Sequence, residues 1–205
     1  MEIGIIGSGN IGGTLTRRFR QLGHAVTVAN SRGPESLGDL AAETGATPGT
    51  VADAAAADVV VVAVPLRAVP DLPPVFDGRV VVDTNNYYPQ RDGRIAPIDG
   101  GTTSSRWVAD QLAGARVVKA FNTIYSSHLG GSGRPAGTPG RIALPAAGDD
   151  ADAKATVLGL IDELGFDPVD AGTLDESWRQ EPDTPVYGTD RDAAGVREGL
   201  AAARR

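Results

Sequence analysis

The chemistry legible in this sequence begins at Gly7-Ser8-Gly9-Asn10-Ile11-Gly12, three glycines in the spacing G-x-G-x-x-G. In a chain with 27 glycines the spacing alone says little. Its setting says more: it follows the apolar run Ile3-Gly4-Ile5-Ile6 at once and opens a helical pattern. Gly7 allows a tight turn, Gly9 lets the backbone approach a pyrophosphate, and Gly12 permits close packing of helix on strand. The amides of Ser8, Asn10 and Ile11 stand at the helix start, where the dipole favours phosphate. A glycine-rich turn that binds nothing would carry the same residues.

A second choice is made at Ala29-Asn30-Ser31-Arg32-Gly33-Pro34, where no acid occurs before Glu35. An NAD site ordinarily places Asp or Glu here for the ribose 2′-hydroxyl. The Ser31 hydroxyl and the Arg32 guanidinium suit a 2′-phosphate instead. The predicted cofactor is therefore NADP(H), with a solvated loop arginine as the blander account of Arg32.

The third group lies around Lys119-Ala120-Phe121-Asn122-Thr123. Lys119 and Asn122 are the candidates for an active role in catalysis, and His128 is a third. A lysine and an asparagine four apart on a helix can reach one substrate, but here they are three apart at a strand end. Lys119 can equally point to solvent or to a carboxylate while Asn122 fixes the loop. His128 follows in a glycine-rich stretch and is either a substrate contact or a surface histidine. His24, in Gly23-His24, reads as turn packing. Asn85-Asn86-Tyr87-Tyr88-Pro89 follows a strand end, where ligands of open sheets bind, and its tyrosines can wall a flat ring. Trp178 and Tyr187 either cover the second substrate or form a subunit contact. The contact is the preferred reading, which makes a homodimer the expected assembly.

Composition narrows the field. Nineteen basic against 26 acidic residues give a net charge of -7 over 205 residues. That argues against bulk binding to nucleic acid or an anionic membrane, so an anionic ligand must be held by local groups. There are no cysteines, which removes disulfides, thiolate metal sites and cysteine nucleophiles. With only His24 and His128 as imidazoles, no metal site is predicted. Neither a signal peptide nor a membrane span is readable, so the cytoplasm is the expected location.

The elements that must position these residues alternate as parallel βαβ units do. Ile3–Ile6 and Ala25–Ala29 read as strands around a helix from Asn10 to Leu22, with Ile11, Leu15, Phe19 and Leu22 on one face. A weak third strand near Ala46-Thr47 is cut short by Pro48 and Gly49. Val59–Val64 is apolar on both faces, as a central parallel strand is. Arg79–Asp83 and Arg116–Ala120 are two more. Ser126–Gly140 holds five glycines and two prolines and reads as a loop that closes over a ligand. Arg141–Leu144 and Asp167–Asp170 read as strands around a helix from Ala151 to Leu164. The predicted fold is a Rossmann-type, doubly wound α/β parallel sheet with helices on both faces, spanning residues 1–170. Residues 171–205 form a C-terminal annex on the core or at a dimer interface.

Taken together, Gly7–Gly12, Asn30-Ser31-Arg32 and Lys119-Ala120-Phe121-Asn122-Thr123 resemble the coenzyme F420-dependent NADP reductase family, over Met1 to about Asp170. The cytosolic NADPH domain of the membrane metalloreductases is a related branch. The resemblance implies hydride transfer between NADP(H) and the deazaflavin F420, usually in a homodimer. It implies that Ser31 and Arg32 hold the 2′-phosphate and that Val64, Pro65 and Leu66 lie along the nicotinamide ribose. Asp83 to Asn86, Asn85 among them, and Ala120 to Asn122 would border the nicotinamide. The Ser126–Gly140 segment departs from the family pattern, which leaves a flavin or another small electrophile as the alternative acceptor and a non-catalytic NADPH-binding regulator as the alternative role. If the acceptor is F420, its anionic tail requires cations, and Arg134, Arg91 and Arg94 are the candidates.

Overall fold

Eight strands form one sheet in the computed structural model, which describes residues 1–205. The strands are β1 (Glu2–Ile6), β2 (Ala25–Ala29), β3 (Thr47–Pro48), β4 (Val59–Val62), β5 (Val80–Asp83), β6 (Arg116–Lys119), β7 (Ala143–Gly148) and β8 (Asp167–Asp170). The helices are α1 (Asn10–Gln21), α2 (Gly38–Thr44), α3 (Val51–Ala55), α4 (Pro89–Asp92), α5 (Ala96–Asp99), α6 (Ser104–Gln111), α7 (Ser126–Gly131), α8 (Ala151–Glu163) and α9 (Ala193–Ala202). The spatial order is β3-β2-β1-β4-β5-β6-β7-β8. All neighbours are parallel except β6 and β7. This is the doubly wound Rossmann-type α/β arrangement, and none of its helices is long and apolar enough to cross a membrane.

Strand alternation sorts the apolar residues between two cores. Val59 and Val61 join Ile3, Ile5, Val80 and Val82 in the layer that carries Leu15 and Phe19 of α1 and Val157 of α8. Val60 and Val62 face the other way with Ala54 of α3 and Trp107 and Val108 of α6. The four-valine strand β4 is buried on both faces because helices cover both. The weak third strand is two residues long, as Pro48 and Gly49 require.

Beyond β8 the chain stays on the body of the molecule. Val186, Val196 and Leu200 pack over Ala143 and Val169, so α9 covers the end of the sheet. Residues Leu174–Gln180 form a 3₁₀ turn against α6 and β7. Trp178 lies under two guanidiniums, those of Arg179 and Arg205, at 5.5 and 5.7 Å. Among large apolar side chains only Met1, Leu22 and Tyr125 are exposed. Trp178 and Tyr187, on which an annex-mediated contact was expected, are both half-buried.

Ser126–Gly140 is not a loop throughout, because Ser126–Gly131 forms α7 against α1. Leu129 is fully buried there, and burying that one side chain holds the turn despite its glycines. The remainder folds back rather than over the strand ends. The Arg134 amide donates to Gly165 O at 2.9 Å, and Arg141 Nε donates to Arg134 O at 2.9 Å.

Candidate functional site

A cleft of about 400 Å³ opens where β1, β4, β5 and β6 end. Its first wall is the glycine turn. Gly7 has φ 109°, and a Cβ there would stand 2.3 Å from the Ala63 carbonyl oxygen. A Cβ on Gly12 would stand 1.8 Å from Gly7 O. These two glycines answer to the fold itself. Gly9 does not: its φ and ψ are ordinary for any residue, and a Cβ would meet nothing within 4 Å. Helix α1 starts just beyond it with no side-chain cap and no acid in its first turn. Free amides, a positive dipole end and open space are what a diphosphate needs.

Gly9→Val should leave the melting temperature within a degree or two and weaken NADPH by tenfold or more, about 1.4 kcal/mol. Gly12→Ala should instead destabilise the fold by about 1–3 kcal/mol through overpacking. Thermal melts and fluorescence titration of both variants read the difference. Equal melting losses would remove the ligand role of Gly9.

The β2 end is tied to this turn. Asn30 Nδ2 donates to Ser8 Oγ at 3.2 Å and to Ser36 Oγ at 2.9 Å, and the Arg32 amide donates to Asn30 Oδ1 at 2.9 Å. Ser31 and Arg32 are exposed, and the Arg32 guanidinium enters no ion pair or hydrogen bond. Asn30 therefore fixes the loop while Arg32 stays available beside the diphosphate position.

At the end of β4, Val64 and Pro65 line the cleft. Leu66 does not, because its side chain is buried in the α6-side core, so no side-chain contact to a ribose is open to it. At the β6 end Ala120 is likewise buried in the other core, and its neighbour Phe121 lines the cleft with φ 60°.

Beneath the β5 and β6 ends lies a buried ion pair. The parallel register sets Asp83 beside Lys119, and both side chains are 0% exposed. Lys119 Nζ is 3.9 Å from Asp83 Oδ2 and donates to Asn85 O at 2.9 Å, Ser104 Oγ at 3.0 Å and Ser105 Oγ at 3.1 Å. Asp83 accepts from the Asn85 amide at 3.0 Å and from Ser105 Oγ at 2.5 Å. Lys119 is spent on this network and does not line the cleft, which corrects its candidacy as a proton carrier. It is a positioning residue for the Asn85 backbone.

Asn122 does line the cleft, but its amide is also committed. Nδ2 donates to Gln180 O at 2.6 Å and Asn86 Oδ1 at 3.0 Å, while Oδ1 accepts from Gln180 Nε2 at 2.9 Å. Asn85 is different: its Nδ2 is buried in the cleft wall without any partner. An unpaired buried donor facing a cavity is costly unless a ligand meets it. His128 stands on α7, with Nδ1 2.9 Å from Asp190, and stays outside the cleft lining. His128 is thus a surface histidine on a short helix, in contact with Asp190, rather than a residue of a loop over the substrate.

The outer wall is aromatic. Tyr88, Tyr125 and Tyr187 line it, and the Tyr88 and Tyr187 hydroxyls bond to each other. Tyr187 thus lines the cleft, the covering position that the sequence offered beside a subunit contact. Tyr87 turns away to Asp99 at 3.0 Å. Arg91 lies in the same wall, held by Asp92. Arg94 is paired with Asp99, and Arg134 lies in a separate groove with Arg18 and Asp162. Ser104 and Ser105 were not singled out from sequence, since single hydroxyls in the stretch Gly100-Gly101-Thr102-Thr103-Ser104-Ser105 give no signal, and the contacts of Gln180 come only from tertiary packing. The Asp83–Lys119 pair was not drawn from sequence either, although two adjacent strands ending in opposite charges carry a signal for it.

Residues 2–87 match the protein family described as NADP oxidoreductase coenzyme F420-dependent. Metalloreductase STEAP3 of Rattus norvegicus is 28% identical over 176 residues, 84% of this chain and 34% of that protein. The chain spans 52% and 34% of the lengths of the curated relatives it matches. Among solved structures, a hypothetical protein of Sinorhizobium meliloti is 36% identical with a TM-score of 0.80, over 93% of this chain and 95% of that one. A protein of Arthrobacter sp. FB24 described as a candidate F420-dependent NADP-reductase is 27% identical with a TM-score of 0.72, over 86% and 87% of the two chains.

Proposed function

We propose, from the premise that this chain belongs to the coenzyme F420-dependent NADP oxidoreductase family, that it binds NADP(H) across the strand ends and transfers a hydride to or from F420. The observation that carries the reading is the open Gly9 turn beside an unpaired Arg32 with no acid at the β2 end. The residues present fit the cofactor. The amides around Gly9 would hold the pyrophosphate, and Ser31 and Arg32 the 2′-phosphate. Val64 and Pro65 would flank the ribose, and the orphaned Asn85 amide offers a donor at the nicotinamide end. The cofactor supplies the hydride when bound. The chain aligns the partners, and proximity and orientation in the cleft contribute several kcal/mol to the rate. We place this activity in the cytoplasm.

A flavin or other small electrophile is the second reading, and one observation favours it. An F420 tail is anionic, yet Arg91 and Arg94 are both paired with carboxylates and Arg134 lies outside the cleft. NADPH mixed with F420 or FMN in separate cuvettes decides between them. Bleaching of F420 at a catalytic rate is expected; bleaching of FMN alone would shift the acceptor, and oxidation of neither would leave an NADPH-binding regulator.

Two-fold association is part of the same reading, since closed dimers are the commonest assembly of such chains. Light scattering of the full-length protein should return twice the chain mass. A monomer at all concentrations refutes it.

A further inference from the structure

Hydride transfer is only half of a reduction. An acceptor that takes a hydride at carbon gathers negative charge on a heteroatom, and that charge calls for a proton. The titratable side chains lining the cleft are Tyr88, Arg91, Tyr125 and Tyr187. An arginine does not give up its proton in a protein. Tyr125 is 59% exposed at the rim. Tyr88 and Tyr187 are half-buried, and their hydroxyls meet from positions 99 residues apart in the chain. Two phenols carry two protons, and the bond between them uses one. The other is unshared.

We propose that the Tyr88–Tyr187 hydroxyl pair is the acid of the reaction, handing its unshared proton to the acceptor heteroatom. The proposal rests on the reading of this cleft as a hydride-transfer site. One O–H bond of the pair breaks as a heteroatom–H bond forms on the acceptor. The electron pair that charges that heteroatom arrives with the hydride from NADPH. The phenolate left behind accepts the remaining O–H of its partner and regains a proton from solvent. One NADPH, one acceptor and one proton thus become NADP⁺ and the reduced acceptor.

The surroundings suit both states of the pair. Arg91 lies 4.9 Å from the centre of the Tyr88 ring, and its charge favours the ionised form of the Tyr187 phenol. It is fixed there by Nε and Nη2 donating to Asp92 at 3.0 and 2.8 Å and by Nη2 donating to Asn86 O at 2.8 Å. Burial pushes the Asp92 carboxyl up, but bonds from Arg91, the Tyr88 amide and the Arg67 amide outweigh it and hold its pKa below the usual range. Asp92 therefore stays charged and keeps Arg91 in place. Burial, the Tyr88 hydroxyl and the nearby Tyr88 and Tyr125 phenols push the Tyr187 phenol above its usual range, with Arg91 opposing. Tyr187 thus keeps its proton at neutral pH.

Tyr187→Phe and Tyr88→Phe test this, with NADPH and three acceptors: F420, FMN and a small quinone. In Tyr187→Phe kcat should fall on the order of a hundredfold, the scale of a lost general acid. NADPH affinity, read by fluorescence quenching, should stay within about twofold of the wild type. The wild-type rate should be flat at neutral pH and fall only as the pair ionises, and that alkaline limb should vanish in Tyr187→Phe. Independently of turnover, near-ultraviolet titration of Tyr88→Phe should show Tyr187 ionising at lower pH than in the wild type. Unchanged kcat in both variants, with any acceptor, overturns the pair even if F420 is reduced. Reduction of FMN or the quinone but not of F420 overturns only the F420 reading, and the same kcat ratios then decide the pair. A wild type that reduces none of the three overturns both.

Discussion

Lys119→Ala should destabilise the protein by about 3–5 kcal/mol, the cost of leaving one partner of a buried ion pair uncompensated. Both side chains are 0% exposed, so bulk solvent does not compensate the charge left behind. The Asp83 carboxylate would keep only Ser105 Oγ and the Asn85 amide. The Asn85 carbonyl, Ser104 and Ser105 would each lose a donor. Pairing Lys119→Met with Asp83→Asn removes both charges and should recover a good part of the loss. Urea unfolding at constant m-value measures each variant. The same experiment separates positioning from proton transfer. A positioning lysine, once removed, loosens the Asn85–Asn86 wall and raises KM along with the stability loss. A variant with unaltered unfolding and a collapsed kcat would return Lys119 to a catalytic role.

How far the sequence carried depends on the kind of signal. The four valines of β4 and the glycine turn before α1 identify the sheet and its ligand edge, because burial on both faces and a strand–turn–helix junction each leave a composition mark. Side-chain direction leaves none. Ala120 falls one residue beyond the end of β6 and turns into one core, while Leu66 opens the 3₁₀ turn Leu66–Asp71 after β4 and turns into the other. Val64 and Phe121 take the wall positions instead. The helix Ser126–Gly131 was hidden by two glycines in its last turn, and only the fit of Leu129 against α1 reveals it. The role of Tyr187 depends on the path of residues Leu174–Val186 over β7 and α6. No local pattern encodes that path; it is set by long-range bonds such as Ser104 Oγ to Glu181 at 2.7 Å and Thr103 Oγ1 to Leu174 O at 2.8 Å.

Arg32→Ala should weaken NADPH by about 1.5–3 kcal/mol, roughly ten- to a hundredfold, and leave NADH nearly unchanged. The expectation rests on what Arg32 does without a ligand, which is nothing: its backbone is fixed by Asn30 while its guanidinium has no partner. A side chain that contributes no contact to the fold can be removed without disturbing it, so the melting temperature should not move. The 2′-phosphate is the one group that distinguishes the two cofactors, and a guanidinium meets it with charge and with paired donors. Lysine at this position keeps the charge and loses the fork, so Arg32→Lys should recover only part of the affinity. Because the residue is exposed, the effect should shrink as salt is raised, in contrast to the Gly9 effect, which is steric. Isothermal titration of both cofactors at two salt concentrations reads all of these at once. Equal losses for NADPH and NADH would show that Arg32 lies over the adenine or the pyrophosphate and would return the choice of cofactor to Ser31 and the missing acid.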